Sequence, residues 1–249
     1  MAASGIEFDP IFAEDYLYFY ASVLDQQAPA DVETIWRLLG LAPGMDVLDL
    51  PCGYGRIANL LGQRGCHVTA VDSSESFLSV ARQNARQLGV PVEYGRADMR
   101  SLPWMRTFDA VVNWFTSFGY FDDDDNRAFL RQVFRVLRPG GALIVDLSNQ
   151  HASSSSELRQ GTAEHVFERG GDRMIIRSTC DPSTRRVSMH WAITRDGQKR
   201  ERHMSLRVFT FAELRDWMLA EGFREVQGYG PGGSTLEADS PRLVIVARK

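Results

Sequence analysis

The sequence predicts an α/β domain, with a mostly parallel sheet covered by helices on both faces and an antiparallel β meander inserted late in the chain. Three observations predict it. The run Val47-Leu48-Asp49-Leu50-Pro51-Cys52-Gly53-Tyr54-Gly55-Arg56 is a short apolar stretch ending in an acid, then a glycine loop, then apolar residues at helical spacing from Arg56 to Leu61. Strand-like and helix-like runs alternate from there to Leu147, the pattern of a parallel sheet. After Leu147 the segments are β-rich and separated by Gly170-Gly171-Asp172, Asp181-Pro182-Ser183 and Asp196-Gly197-Gln198, all turn signals.

In chain order, Asp9-Pro10 opens an aromatic helical pattern, Ile11 to Tyr20, and Asp31 begins a second helix ending at Gly40. The first strand spans Asp46 to Leu50. Next come His67 to Val71 as a strand, Ser76 to Leu88 as a helix stopped by Gly89, then strands at Val92 to Tyr94 and Phe108 to Asn113. Asn126 to Leu137 reads as a helix whose N-terminus is capped by the solvated acidic run Asp122 to Asp125. The turn Leu137-Arg138-Pro139-Gly140-Gly141 leads into a strand at Leu143 to Asp146. Within the meander, Val187, Met189, Trp191 and Ile193 share one face and Ser188, His190 and Thr194 the other. Met204, Leu206 and Val208 likewise oppose His203, Ser205, Arg207 and Phe209. Phe211 to Gly222 is a helix, and Glu225 to Tyr229 with Leu243 to Ala247 close the chain as strands.

At 249 residues and 44% hydrophobic content the chain supports one domain with an insertion. A net charge of −4, with arginines scattered among acids, disfavours nucleic-acid and membrane-surface substrates and leaves a small molecule. Cys52, Cys66 and Cys180 form neither a disulfide framework nor a zinc spacing, which fits a reducing cytoplasm. No His or carboxylate cluster has metal-ligand spacing in the sequence, so no metal is expected.

Gly53 and Gly55 let a ligand approach main-chain N–H groups at the carboxyl end of the first strand. Gly53-x-Gly55-x-x-Ala58 satisfies the loose dinucleotide pattern, with Asp72 as the ribose acid. Asp49 argues otherwise: an acid before the glycines repels a pyrophosphate but accepts from an ammonium group. The order Asp49 to Gly55, Asp72 after the second strand, Asp98-Met99 after the third, the 108–113 strand and the Pro139-Gly140-Gly141 turn resembles the class I S-adenosylmethionine-dependent methyltransferases, over roughly Met45 to Leu147.

That resemblance implies a doubly wound, Rossmann-like seven-stranded sheet of order 3-2-1-4-5-7-6 with strand 7 antiparallel. It implies an N-terminal helical lid over residues 1–44, a cofactor domain over 45–149 and 211–249, and an inserted sheet over 163–210 that roofs the substrate pocket. Cofactor contacts are implied for Asp49, Pro51, Gly53, Gly55, Asp72, Ser73, Asp98, Met99 and Asn113, with S-adenosyl-L-methionine leaving as S-adenosyl-L-homocysteine. The segment Asn113 to Phe121 adds a dense aromatic wall. Tyr16, Tyr20, Phe118 and His203 are the candidate catalytic residues, and Tyr18, Trp114, Phe115, Phe118 and Arg207 the candidate substrate contacts. A narrower similarity, to small-molecule N-methyltransferases of antibiotic biosynthesis of the lincosamide and amino-sugar type, implies an amine acceptor. The alternatives are an O-methyltransferase of the same fold and, in another class, a nicotinamide-dinucleotide oxidoreductase or a non-catalytic nucleotide-binding module. The inserted sheet and the N-terminal helices are also candidate homo-oligomer contacts.

Overall fold

The computed structural model describes residues 14–103, 107–149 and 162–249. The expected helical start at Asp9 to Ala13 lies outside these residues. From Glu14 the chain forms one helix, α1 (Glu14–Leu39), where two were expected. Pro29 sits inside it and removes one backbone donor. The helix nevertheless continues, because Leu24, Ala28, Val32, Ile35 and Leu39 form a buried stripe that crosses the proline, while Pro29 itself faces solvent.

The seven-stranded sheet is the expected one. Strands β1 (Asp46–Asp49), β2 (His67–Asp72), β3 (Val92–Arg96), β4 (Phe108–Asn113), β5 (Leu137–Ser148), β10 (Glu225–Tyr229) and β11 (Arg242–Arg248) lie in the order β3-β2-β1-β4-β5-β11-β10. All pairings are parallel except those of β11, which runs antiparallel to β5 and β10. The expected turn at 137–141 is part of β5, whose register against β4 shifts between Phe108 and Ala110. Helices α2 (Arg56–Gln63), α3 (Glu75–Leu88), α4 (Asp123–Val136) and α5 (Phe211–Ala220) complete the layers. Two clusters fill the core, one around Phe108, Phe129 and Ile245, the other joining Val32 and Ile35 of α1 to Ile57 and Leu61 of α2. Asp122 caps α4 by accepting from the Asp125 N–H at 2.9 Å, as its acidic run predicted.

The inserted sheet consists of β6 (Thr162–Arg169), β7 (Asp172–Asp181), β8 (Arg186–Arg195) and β9 (Gln198–Arg207), in sequential antiparallel order. Trp191, Ile193, Met174 and Ile176 on one face bury Phe19 of α1, with Tyr16, Tyr18 and Tyr20 packed around them. Asp15 of α1 also pairs with Arg195 at 3.1 Å and Arg200 at 3.2 Å. The insertion therefore backs α1. Among the described residues, no helix is long and apolar enough to cross a membrane.

Candidate functional site

The glycine loop is built by the ends of three strands. Leu50 N–H donates to Val112 O at 2.9 Å and Cys52 N–H to Val71 O at 2.8 Å, so the chain leaving β1 stays stitched to β4 and β2. Asp72 accepts from Gly53 N–H at 2.8 Å and from Ser74 N–H at 2.9 Å, fixing the loop to the end of β2. Gly53 and Gly55 take φ of +53° and +82°, the left-handed region that favours glycine. Their surroundings differ. A Cβ on Gly55 would stand 2.3 Å from Tyr94 Oη, whereas one on Gly53 would meet nothing nearer than 4.0 Å. Gly55 thus serves packing against Tyr94, whose hydroxyl donates to Asn59 Oδ1 at 2.7 Å. Gly53 faces the cavity.

That cavity, of about 530 Å³, opens at the carboxyl ends of β1, β2 and β4. Asp49 lines it and is 1% exposed, with one carboxylate oxygen, Oδ2, lacking any hydrogen-bond partner. Burial pushes the Asp49 carboxyl up to about 8, against the pull of the Arg56 guanidinium, while the neighbouring Asp72 raises it further. A buried, unpartnered carboxylate oxygen costs free energy unless a donor arrives.

Asp72, Ser73, Asp98 and Met99 line the same cavity beyond the loop. Arg100 chelates both oxygens of Asp98, at 3.0 to 3.1 Å through Nε and 2.6 Å through Nη2, and these bonds hold the Asp98 carboxyl below its usual range. The same guanidinium reaches Asp125 at 2.5 Å and lies 4.3 Å from the Phe121 ring centroid. Arg100, which motif reasoning overlooked, joins the Asp98 loop to the first turn of α4.

The other wall is aromatic: Tyr16, Tyr54, Phe77, Trp114, Phe115, Tyr120 and Phe121 all line the cavity. Phe115 and Thr116 have φ of +63° and +59°, an uncommon pair of left-handed non-glycine residues. Asp146 holds them, accepting from Phe115 N–H at 2.9 Å through its side chain and from Thr116 N–H at 2.8 Å through its carbonyl. Arg242 in turn clamps the Asp146 carboxylate. Arg56 pairs with Asp31 of α1 at 2.6 Å and lies over the Phe115 ring, and Tyr54 donates to Asp25 of α1 at 2.9 Å.

Of the residues singled out in the sequence, Tyr16, Asp49, Pro51, Gly53, Asp72, Ser73, Asp98, Met99, Trp114 and Phe115 line one cavity. The others are placed elsewhere. Asn113 is fully buried and donates to Leu50 O at 2.8 Å, so it supports the loop from behind. Phe118 is core, between Phe129 and Phe209. Tyr20 packs between Phe167 and Trp191. Tyr18 donates to Arg169 O at 3.0 Å under the Arg169 and Arg195 guanidinium groups. His203 is exposed and stacks on His190. Arg207 is buried in ion pairs with Asp123 and Glu213. Among the described residues no member of the insertion lines the cavity; it touches the wall from behind, Trp191 stacking 6.4 Å from Tyr16 and Arg186 donating to Phe121 O at 3.0 Å. The residues sequence reasoning missed, Arg56, Phe77, Arg96 and Arg100, carry no motif of their own. Only their proximity to the glycine loop and to Asp98 could have flagged them.

Residues 47–141 match a family model described as a methyltransferase domain. A protein of Geobacillus sp. (strain WCH70), whose name assigns it provisionally to the methyltransferases, is 24% identical over 95% of this chain and 99% of its own. The ubiquinone/menaquinone biosynthesis C-methyltransferase UbiE of Escherichia coli is 35% identical over 53% of this chain and 54% of its own, so the chain spans about half of that relative. Among solved structures, the sugar N-methyltransferase KedS8 of Streptoalloteichus sp. ATCC 53650 superposes with a TM-score of 0.71 at 21% identity, covering 100% of this chain and 98% of that one. With these matches the dinucleotide reading of Gly53-x-Gly55-x-x-Ala58 falls away.

Proposed function

Because the chain is an S-adenosylmethionine-dependent methyltransferase, we propose that its acceptor is the nitrogen of a small-molecule amine, methylated by positioning and desolvation without a dedicated base. One observation carries this reading. Among the described residues no histidine lines the cavity, and the phenols of its aromatic wall are held protonated: burial pushes Tyr16 up to about 12 and raises Tyr54 and Tyr120 further. Such phenols do not take a proton near neutral pH. A hydroxyl acceptor asks for a base, whereas an amine supplies its own lone pair once neutral.

The residues fit the cofactor. Asp49, with its unpartnered oxygen, would accept from the α-ammonium, the Gly53 backbone would border the methionine part, Asp72 would accept from the ribose hydroxyls, and Asp98-Met99 would flank the adenine. When bound, the cofactor supplies a methyl group on a sulfonium, open to attack by a lone pair. Tyr16, Phe115 and Tyr120 would border the acceptor, exclude water and favour a developing ammonium by cation–π attraction of about 0.5 to 2 kcal/mol. That a sugar N-methyltransferase of Streptoalloteichus sp. ATCC 53650 shares this fold supports an acceptor of the amino-sugar type.

The test is a methyl-transfer panel of amines, phenols and carbon acids, the last because the Escherichia coli relative is a C-methyltransferase. Amines should turn over, and the rise of rate with pH should shift with the acceptor's own pKa. Turnover of phenols or carbon acids alone, or a pH profile that stays put across amines, overturns the reading.

A further inference from the structure

Metal-ligand spacing is absent from the sequence, yet the register of β8 and β9 creates a cluster. His190 pairs directly with His203, and Ala192 with Glu201, so His190, His203 and Glu201 share the face of the strand pair opposite Trp191 and Ile193. Their ligating atoms all lie within 4.8 Å of one another. The two imidazoles stack with centroids 4.6 Å apart and planes 13° from parallel. His190 Nε2 is closed off from solvent, has no hydrogen-bond partner, and stands 3.3 Å from Glu201 Oε2. The two form an ion pair when the imidazole carries a proton, and their separation is also the one that two ligands of a single tetrahedral ion keep. With Zn–N and Zn–O bonds of about 2.0 to 2.2 Å, ligand atoms on one such ion are about 3.3 Å apart. His203 is exposed, and a rotation off the His190 ring would bring it to the same ion.

We propose that His190, Glu201 and His203 form a binding site for a divalent transition-metal ion of the zinc class on the inserted sheet, outside the methyl-transfer cavity. Two imidazoles and one carboxylate suit zinc and its neighbours and are a poor set for magnesium or calcium, which take oxygen ligands. The nearest cation on the same face, Arg177 opposite His190, is engaged by Glu164 at 2.7 Å. Bound there, the ion staples β8 to β9. Further along the same face, Arg186 donates to Phe121 O at 3.0 Å and to Ser205 Oγ at 2.8 Å, so the stapled pair is also the pair that grips the cavity wall.

The experiment is isothermal titration of the tag-free full chain with Zn²⁺, with Mg²⁺ as comparison. One equivalent of Zn²⁺ should bind and Mg²⁺ should not. H190A and H203A should each weaken Zn²⁺ binding by at least the roughly 10- to 100-fold that loss of an outer-shell partner costs. E201Q should weaken it too, while H165A and C180S should leave it unchanged. Zn²⁺ should also raise the thermal midpoint of the wild type and not that of H203A, with circular dichroism confirming that each variant is folded. Zn²⁺ binding that is equal in the wild type and in the H190A/H203A double variant, or that disappears in C180S, overturns the site.

Discussion

Asp49→Asn separates the two roles that a buried carboxyl at the end of β1 has to reconcile. The Asp49 carboxyl is raised from 3.8 to about 8. In the ligand-free protein at pH 7 it is therefore about nine-tenths protonated. Accepting from an ammonium requires the ionised form, so binding S-adenosylhomocysteine at pH 7 should release about nine-tenths of a proton. Affinity should rise about tenfold per pH unit up to about pH 8 and then level. Isothermal titration across pH 6 to 8.5, in buffers of differing ionisation enthalpy, reads both quantities. Asp49→Asn should bind more weakly, with the tenfold slope and the proton release gone.

Stability moves the other way. Between about pH 4 and 8 the folded wild type holds a proton that the unfolded chain has lost, so this contribution is full at low pH and disappears as pH rises through 8. Four units at 1.36 kcal/mol each make roughly 5 kcal/mol as the upper bound. Asp49→Asn should accordingly melt above the wild type at pH 8 in the absence of ligand. Equal proton release in both proteins, or a variant less stable than the wild type at pH 8, refutes the reasoning.

The two loop glycines should respond differently: Gly55→Ala collides with Tyr94 Oη and should cost about 2 to 4 kcal/mol of stability, while Gly53→Ala should cost about 1 to 2 kcal/mol from its positive φ alone. Chemical denaturation of both variants checks this. Asp72→Ala should lose stability, because Gly53 N–H and Ser74 N–H lose their acceptor, and should also weaken S-adenosylhomocysteine binding by roughly 2 to 3 kcal/mol. Intact affinity in the destabilised variant would leave Asp72 a loop brace only. Arg207→Ala should destabilise by about 1.5 to 3 kcal/mol, since Asp123 and Val208 O lose a buried donor while Glu213 keeps Arg185, with S-adenosylhomocysteine affinity in the folded fraction nearly unchanged. A stable variant with altered acceptor turnover would return Arg207 to the substrate pocket.

The parts of this molecule legible in the sequence are those whose physics is local. The alternation from Val47 to Leu147 dictates buried strands and covering helices, and the order of the seven-stranded sheet followed from the resemblance that alternation carries. That Asp49, Gly53 and Asp72 share one cavity was legible because a strand end, its loop and the next strand end meet there. Phe118 and Phe115 could not be told apart. They lie three residues apart in one aromatic run, yet the left-handed turn at Phe115 and Thr116, held by Asp146 and Arg242, sends one ring to the cavity and leaves the other in the core. Asp146 and Arg242 lie far apart in sequence, so nothing local announces that turn. The cluster of His190, Glu201 and His203 was hidden for the same reason, because strand register assembles it. The expected second helix from Asp31 is instead continuous with the first, because the buried stripe of α1 outweighs the one backbone bond lost at Pro29.

That continuity of α1 matters for the chemistry proposed. A methyl transfer that asks of the protein only placement and dryness depends on how rigidly the cofactor loop and the acceptor wall are held together, since a misplacement of about 1 Å can cost on the order of a hundredfold in rate. Here one helix touches both. Near its start, Asp15 anchors it to Arg195 and Arg200 of the inserted sheet. Tyr16, on the next residue, lines the cavity and stacks on Tyr20 and Trp191. Further along, Asp25 and Asp31 hold Tyr54 of the glycine loop and Arg56 at the start of α2. A break at Pro29 would uncouple the sheet-anchored half, with Tyr16 and Asp25, from the half that carries Asp31 and packs on α2. As a single rod, α1 joins the inserted sheet to the glycine loop, although no described residue of that sheet lines the cavity itself.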